Sequence, residues 1–199
     1  MFVLFSSCFI LFLIDQISKL VVRGFNIPLF NLNVGGLSPG ESRQLISNFL
    51  HITLVENPGI AFGIDPGESL RDLILIITIL TCISFFIYLL VAKRAELKTK
   101  IAIALILGGA AGNLFDRIFY GIFYNYAPLF QGNVVDFLDI RIFKFFIFNQ
   151  IHGNYVFNFA DVSILSGVIL LVSIIMNSKK QKRVENFIPQ IVEDGEESK

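Results

Sequence analysis

Four long runs of apolar residues divide the chain, and polar residues collect between the runs and at their ends. The runs cover about residues 2–22, 70–92, 101–118 and 159–176. Each has about the length that an α-helix needs to cross a hydrocarbon core of ~30 Å. The pattern predicts a membrane protein, mainly α, in which residues 1–176 form a single domain with a four-helix transmembrane bundle.

The connection between the first two helices, residues 23–69, is too apolar for a simple linker. Its pattern predicts a strand over 49–55, a turn at 57–59 and a second strand over 60–64. We therefore expect a small extracytoplasmic β-rich region beside the helix bundle.

The other long connection, residues 119–158, contains a Phe-rich run from Phe143 to Phe148. This run predicts either an interfacial patch that rests on lipid or a surface that packs against the β segment. After Met176 the composition becomes basic and then acidic, which predicts a disordered tail over residues 177–199.

Basic residues predict the orientation of the bundle. They cluster in the short connection between helices two and three and again after helix four: Lys93, Arg94, Lys98, Lys100, Lys179, Lys180, Lys182 and Arg183. Because basic loops remain on the cytoplasmic side, we expect both termini inside and residues 23–69 and 119–158 outside.

The composition is that of a membrane protein, and it argues against a nucleic-acid partner, a disulfide and a metal site. The chain is 54% hydrophobic and only 16% charged, with a mean hydropathy of +0.70, whereas soluble domains carry about 25% charged residues. A net charge of zero argues against a nucleic-acid partner. Cys8 and Cys82 lie in apolar runs and the two His are scattered, so we expect neither a disulfide nor a metal site.

The third apolar run ends in polar residues. At helical spacing, Asn113, Asp116 and Arg117 share one face, and Gly108 and Gly112 form a small-residue edge that lets another helix approach. Charged residues at membrane depth are costly, and they indicate a functional site. The alternative is that Asp116 and Arg117 are interfacial anchors.

Carboxylates from three helices reach one level of the membrane. At ~1.5 Å of rise per residue, Asp15, Asp116 and Asp161 lie roughly 21, 24 and 27 Å from the cytoplasmic boundary. Asp136 comes from the outer connection at a similar height. We therefore expect these side chains to meet near the outer face.

The four carboxylates differ in their sequence neighbours. Asp15 has Lys19 one helical turn away and Asp116 adjoins Arg117, so these residues predict an interhelical charge network. Asp136 and Asp161 have no basic neighbour. Two such carboxylates in a partly dry site share one proton, as in an aspartic protease. Alternatively, Asp161 is a helix N-terminal residue that the helix dipole favours.

Five motifs occur in the order seen in one family of membrane enzymes. They are Asp15-Gln16-Ile17-Ser18-Lys19, Asn57-Pro58-Gly59-Ile60-Ala61-Phe62, Gly108 to Arg117, Val134-Val135-Asp136-Phe137 and Phe157-Asn158-Phe159-Ala160-Asp161. Over roughly residues 10–176 the chain resembles bacterial lipoprotein signal peptidase, signal peptidase II. That resemblance implies an inner-membrane aspartic endopeptidase that cuts diacylglyceryl-modified prolipoproteins just before the lipid-bearing Cys, near the outer face.

The resemblance also implies roles for individual residues. Asp136 and Asp161 match the catalytic aspartates. The residues that match the substrate site are Asn57, Asn113, Arg117 and Asn158, and those that match supporting positions are Asp15, Lys19 and Asp116, with Gly108 at the helix-packing edge. The enzyme would need no metal or cofactor, would act on a lipid-modified prolipoprotein among membrane phospholipids, and would work as a monomer.

Two segments depart from the family pattern. Residues 120–133 and 140–155 are longer than the resemblance implies, and we interpret them as insertions near the substrate entrance. Two other functions remain open from the residues alone. An ion-coupled transporter would place acids near the midplane, often with repeat symmetry, and a lipid-binding assembly subunit would leave the two unpaired acids without a role.

Overall fold

The computed structural model describes residues 2–27, 31–47, 49–59, 67–141, 146–147, 150–151 and 155–196. Its helices are α1 (Phe2–Arg23), α2 (Glu68–Val91), α3 (Leu97–Phe115), α4 (Gly121–Phe123) and α5 (Phe159–Glu196), with a π-helical turn at Asp116–Tyr120 between α3 and α4. Its strands are β1 (Gly24–Ile27), β2 (Leu32–Gly35), β3 (Ser42–Ile46), β4 (Leu50–Asn57), β5 (Val134–Ile140), β6 (Phe146–Ile147), β7 (Gln150–Ile151) and β8 (Tyr155–Phe157).

Four helices are long and apolar enough to cross a membrane, as the sequence predicts. They cover Val3–Arg23, Ser69–Val91, Leu97–Phe123 and Phe159–Gln181. The third begins before the predicted residue 101, because lysine has a high helix propensity and Lys98 and Lys100 extend the first turn.

The last helix also differs from its prediction. α5 does not end near Met176, and its backbone remains helical to Glu196. Residues 177–196 are therefore helical where the sequence predicts disorder. Lys179, Lys180 and Gln181 are all good helix formers, so polarity alone does not end the helix there.

α3 is the central helix of the bundle. In its most apolar window 56% of the residues are buried, against 11–17% in the other three spans. Its side chains Ile103, Ala104 and Leu107 pack with Leu4 of α1 and Leu89 of α2 in one apolar cluster. The other helices present large apolar side chains outward, as a lipid-facing surface requires.

The β-rich region contains a four-stranded antiparallel sheet in the order β3-β4-β5-β8 and two separate strand pairs, β1-β2 and β6-β7. Strand β4 confirms the predicted strand over 49–55 and extends it to Asn57. The predicted second strand over 60–64 lies outside the described residues. The surroundings of the run from Phe143 to Phe148 also lie outside them.

The sheet packs on the end of the bundle through a second apolar cluster. Leu54 of β4, Val135 and Phe137 of β5 and Tyr120 of the π-helical turn are all 2% exposed or less. Strand β8 leads directly into α5 through Asn158. The sheet and the helix ends therefore meet at one level, and polar residues from both come together there.

Candidate active site

Asp136 lies on the central strand β5 and is almost completely buried. Its Oδ2 accepts a hydrogen bond of 3.0 Å from Asn57 Nδ2, and its Oδ1 accepts one of 2.7 Å from Asn158 Nδ2. The register of the sheet explains the first contact. Val55 lies opposite Asp136, so Asn57 follows two residues further along the same face.

The surroundings of Asp136 favour its protonated form. Burial, and after it the negative charge of Asp161, raise the pKa of this carboxyl to about 7. The two amide donors, Asn57 and Asn158, oppose that rise. Asp136 can therefore hold a proton near neutral pH, where an ordinary aspartate is ionised.

Asp161 lies in the first turn of α5, where it takes part in a reciprocal cap. The Asp161 N–H donates to Asn158 Oδ1 at 2.9 Å, and the Asn158 N–H donates to Asp161 Oδ2 at 3.1 Å. The arrangement follows the capping box, in which two side chains satisfy the free N–H groups of a helix start. The interpretation of Asp161 as a helix N-terminal residue is thus correct, and the same residue also adjoins Asp136.

Two asparagines join the carboxylates. Asn158 is completely buried and contacts both, because its side chain binds Asp136 while its backbone N–H binds Asp161. Asn113 of α3 donates from Nδ2 to Asp161 Oδ1 at 2.9 Å. Its own Oδ1 accepts from Lys19 Nζ at 3.0 Å and from Asn158 Nδ2 at 3.1 Å, so two donors fix the orientation of this amide.

A separate charge cluster lies beside this pair. Lys19 Nζ is 2.7 Å from Asp15 Oδ2 and 2.7 Å from Asp116 Oδ2, and all three side chains are completely buried. With Asn113 as its third acceptor, the ammonium uses all its N–H groups. The predicted contact between helices one and three is present for Asp15, Lys19 and Asp116, but not for Arg117. The burial of Asp116 is incompatible with a role as an interfacial anchor.

Gln16 completes the charge cluster, and sequence reasoning missed it. Its Nε2 donates to Asp116 Oδ1 at 2.8 Å and to the Gly112 carbonyl at 3.1 Å, and its Oε1 accepts from Tyr120 Oη at 3.1 Å. The signal was present in the sequence. A glutamine inside an apolar helix is costly without partners, and this one directly follows Asp15.

The small-residue edge of α3 allows these contacts. A Cβ at Gly112 would lie 2.5 Å from Asp15 Oδ2, and one at Gly108 would lie 3.0 Å from the Cys8 carbonyl oxygen of α1. Both distances are too short for an ordinary contact. Glycine at these two positions therefore lets α1 approach α3 closely, as the sequence predicts.

Arg117 does not join the charge cluster. It lies in the π-helical turn Asp116–Tyr120, which departs from the regular helical spacing assumed in the sequence prediction. The negative charges of Asp116, Asp136 and Asp161 act on its guanidinium. Its Nε is buried and has no hydrogen-bond partner among the described residues. An arginine with a free donor beside two carboxylates can bind a carbonyl or carboxylate oxygen.

The structure thus brings together the predicted residues in two adjoining groups. The first group contains Asp136, Asp161, Asn57, Asn113 and Asn158, and Asp15, Lys19 and Asp116 form the second. Asn113 contacts both groups. Arg117 lies within electrostatic range of the first without a direct hydrogen bond to it.

Two further polar contacts lie close to the site and were not predicted. Arg23 at the end of α1 binds Glu56 at 2.8 Å, next to Asn57 in β4, and lies 3.7 Å above the Tyr124 ring. In the sheet, the buried Asp139 accepts hydrogen bonds from Thr53 and Arg141. Apart from Asp139 and Arg141, which are two residues apart at the end of β5, these partners are distant in sequence, so nothing in the pattern marked them.

The described part of the chain contains no group of three or more His, Cys, Asp and Glu residues that could hold a metal ion. The site consists of carboxylates and carboxamides. Such a set can activate water by proton transfer and can hold a polar main chain by hydrogen bonds.

The sequence matches the model of the family described as Signal peptidase (SPase) II over residues 7–177. It is 33% identical over 177 residues to the lipoprotein signal peptidase of Desulfitobacterium hafniense, a match that covers 88% of this chain and 95% of the relative. It is 32% identical over 179 residues to the lipoprotein signal peptidase of Syntrophomonas wolfei, with 89% and 96% covered.

Solved structures agree with these sequence matches. A bacterial membrane enzyme determined by the in meso method at 2.3 Å resolution superposes with a TM-score of 0.67 at 28% identity, covering 92% of both chains. A second such structure, at 1.9 Å, gives a TM-score of 0.63 at 29% identity and covers 88% of this chain and 93% of the other.

Proposed function

This chain belongs to the signal peptidase II family, and we propose that Asp136 and Asp161 are the catalytic pair with which it removes signal peptides from prolipoproteins. It is a membrane aspartic endopeptidase. One observation carries the assignment of the pair. Asp136 and Asp161 both accept a hydrogen bond from Asn158, and the hydrogen-bond donors to both carboxylates are amides rather than cations.

The two aspartates take different parts in the reaction. Asp136 begins protonated, because burial and the charge of Asp161 raise its pKa to about 7. The role of base requires the ionised form of Asp161, which lies in the first turn of α5, where the helix dipole favours negative charge. Asp161 is then the general base and Asp136 the general acid.

The hydrolysis balances with this pair alone. Asp161 takes a proton from a water molecule as the water oxygen bonds to the scissile carbonyl carbon, and Asp136 gives its proton to the carbonyl oxygen. The tetrahedral diol then returns a proton to Asp136 while Asp161 passes its proton to the leaving nitrogen, and the C–N bond breaks. The products are a signal peptide with a new carboxylate and a lipoprotein with a free N-terminal amine.

Substrate binding falls to the polar residues around the pair. Asn57, Asn113 and Asn158 hold the carboxylates and border the place that the scissile bond would occupy. Arg117, with its free Nε, would bind a carbonyl oxygen of the substrate or of its diacylglyceryl group. The cut falls just before the lipid-bearing Cys when that group rests in the surrounding membrane.

The membrane arrangement extends the same proposal. With Lys93, Arg94, Lys98 and Lys100 on the cytoplasmic side, both termini are cytoplasmic and the site lies near the outer face of the bacterial inner membrane. Phospholipid surrounds the bundle, and the protein works as a monomer.

One assay tests the proposal directly. The purified full-length protein is incubated in phospholipid vesicles with a lipidated prolipoprotein and, separately, with the same protein lacking the lipid. We expect a shortened product from the lipidated substrate only. Cleavage of both substrates at equal rates would contradict the role of the lipid, and cleavage by an Asp136→Asn or Asp161→Asn variant would contradict the catalytic pair.

A further inference from the structure

The segment from residue 121 to 133, here called the return loop, connects the π-helical turn to strand β5. From Ile118 to Val135, between Arg117 and Asp136, the sequence contains no charged residue. A soluble surface carries about one charged residue in four. The ends of this stretch are buried or half-buried, but most of the return loop between them is exposed, and an exposed loop of this length without any charge indicates an environment other than water.

The return loop exposes large apolar side chains. Phe123 is 57% exposed, Ile122 47%, Phe130 44% and Leu129 41%. Ile122 and Phe123 are the last two residues of the apolar span Leu97–Phe123. The exposed patch is thus continuous with the surface of a membrane-spanning helix, which identifies lipid as the medium that covers it.

Backbone N–H groups along the return loop donate to carbonyl groups within the protein, which suits contact with lipid. Phe130 N–H donates to the Ile118 carbonyl at 3.1 Å, and Gly132 N–H donates to the Arg117 carbonyl at 2.9 Å. Tyr126 N–H donates to the Gly121 carbonyl at 2.9 Å. Backbone polar groups that come near hydrocarbon must be paired within the protein, so these bonds suit a loop at the edge of the hydrocarbon from which apolar side chains reach inward. The carbonyl groups of Arg117 and Ile118 belong to the π-helical turn, so two of these bonds tie the return loop to that turn.

The level of the return loop is set by its contacts to the end of α1. Tyr124 Oη donates to the Gly24 carbonyl at 3.0 Å, and the Arg23 guanidinium lies over the Tyr124 ring. Arg23 ends the first membrane span. Tyrosine and arginine at the end of a span are typical of the boundary between hydrocarbon and water.

We propose that the return loop is a lipid-docking surface that inserts Ile122, Phe123, Leu129 and Phe130 into the phospholipid leaflet at the active-site end of the bundle. The inserted loop holds the π-helical turn through its backbone bonds and so keeps Arg117 beside the catalytic pair. This assigns a role to the insertion at 120–133. The lipid contact requires a membrane-spanning bundle but does not depend on the assignment of Asp136 and Asp161.

The absence of tryptophan from the chain makes a direct test possible. Phe130→Trp and, separately, Leu129→Trp introduce a single fluorophore into the full-length protein, which is reconstituted in phosphatidylcholine vesicles. We expect blue-shifted emission, at least twofold quenching when the acyl chains are brominated, and little quenching by aqueous acrylamide. Two positions are used so that one poorly folded variant does not decide the result.

Arg43→Trp serves as the matched control, because Arg43 lies on strand β3 and its side chain is 70% exposed. We expect red-shifted emission that acrylamide quenches and brominated lipid does not. Loop variants that behave like this control would overturn the proposal. Shielding from both quenchers, or quenching by brominated lipid that falls as the protein-to-lipid ratio rises, would overturn it in favour of a protein partner or a second copy of the chain.

Discussion

Two groups of buried carboxylates lie side by side in this protein and differ in what satisfies them. In the charge cluster, Asp15 and Asp116 both bind the ammonium of Lys19 at 2.7 Å. In the proposed catalytic pair, Asp136 and Asp161 accept hydrogen bonds from the amides of Asn57, Asn113 and Asn158. Both groups occupy the same end of the bundle, and Asn113 contacts both.

This difference is the reason for which we propose a structural role for Asp15 and Asp116 and a reactive role for Asp136 and Asp161. A carboxylate paired with a buried cation is held ionised, and it cannot exchange a proton without stranding that cation. A carboxylate that binds only amide donors keeps the choice between the two protonation states, and a second carboxylate nearby makes that choice depend on its neighbour. The residue type and the depth of an aspartate in the bundle are therefore insufficient to assign its role. Its hydrogen-bond and ion-pair partners distinguish the two groups.

The largest expected effect comes from the catalytic pair itself. Asp136→Asn and Asp161→Asn should each reduce turnover about a thousandfold or more, because each removes one of the two carboxyl groups that share a proton. Both variants should still fold, since asparagine fills the same volume. Turnover and thermal unfolding are measured together, with the exposed Asp72→Asn as control. Wild-type turnover in either variant would exclude that aspartate from the pair.

A stability change should distinguish the charge cluster. Lys19→Ala leaves two buried carboxylates without their cation, which should cost about 3–5 kcal/mol of unfolding free energy. The exposed Lys98→Ala should change it by less than about 0.5 kcal/mol. Chemical unfolding in detergent measures both. A Lys19→Ala protein as stable as the wild type would remove the distinction between the two groups.

The pH dependence of turnover should follow Asp136. Its pKa near 7 means that the proton needed for catalysis is lost as pH rises, so kcat/KM should fall about tenfold per pH unit above that value. A profile that stays flat from pH 6 to pH 9 would contradict Asp136 as the acid.

The same carboxyl links stability to pH. Its pKa is raised above the ordinary value of 3.8, so the folded protein binds a proton that the unfolded chain releases between about pH 4 and pH 7. Its contribution to stability is therefore greatest at low pH and is lost as pH rises through this window. The melting temperature of Asp136→Asn should lack this decline, and an identical decline in both proteins would assign it to other groups.

The smallest expected effect concerns Arg117, on which carboxylates of both groups act electrostatically. Arg117→Lys keeps the charge but removes the planar set of donors, so KM should rise roughly tenfold, the equivalent of one charge-assisted hydrogen bond. The unfolding free energy should stay within about 1 kcal/mol of the wild type. An unchanged KM would exclude Arg117 from substrate binding.

The sequence by itself determined the four spans, and it also determined the level at which the carboxylates meet. Both follow from local rules. The length of an apolar run sets a membrane helix, and the constant rise of a helix sets the depth of Asp15, Asp116 and Asp161. The small residues at Gly108 and Gly112 likewise marked the edge where α1 approaches α3.

Only the tertiary structure decided which partner each polar residue takes. Lys19 binds Asp116 from another helix, whereas the adjacent Arg117, in the same π-helical turn, has no hydrogen-bond partner among the described residues of the cluster. The register of β4 against β5 brings Asn57 to Asp136, and the cap of α5 brings Asn158 to both aspartates. Apart from the local cap between Asn158 and Asp161, these contacts join residues far apart in the chain, so they depend on packing and register, which a linear pattern does not encode.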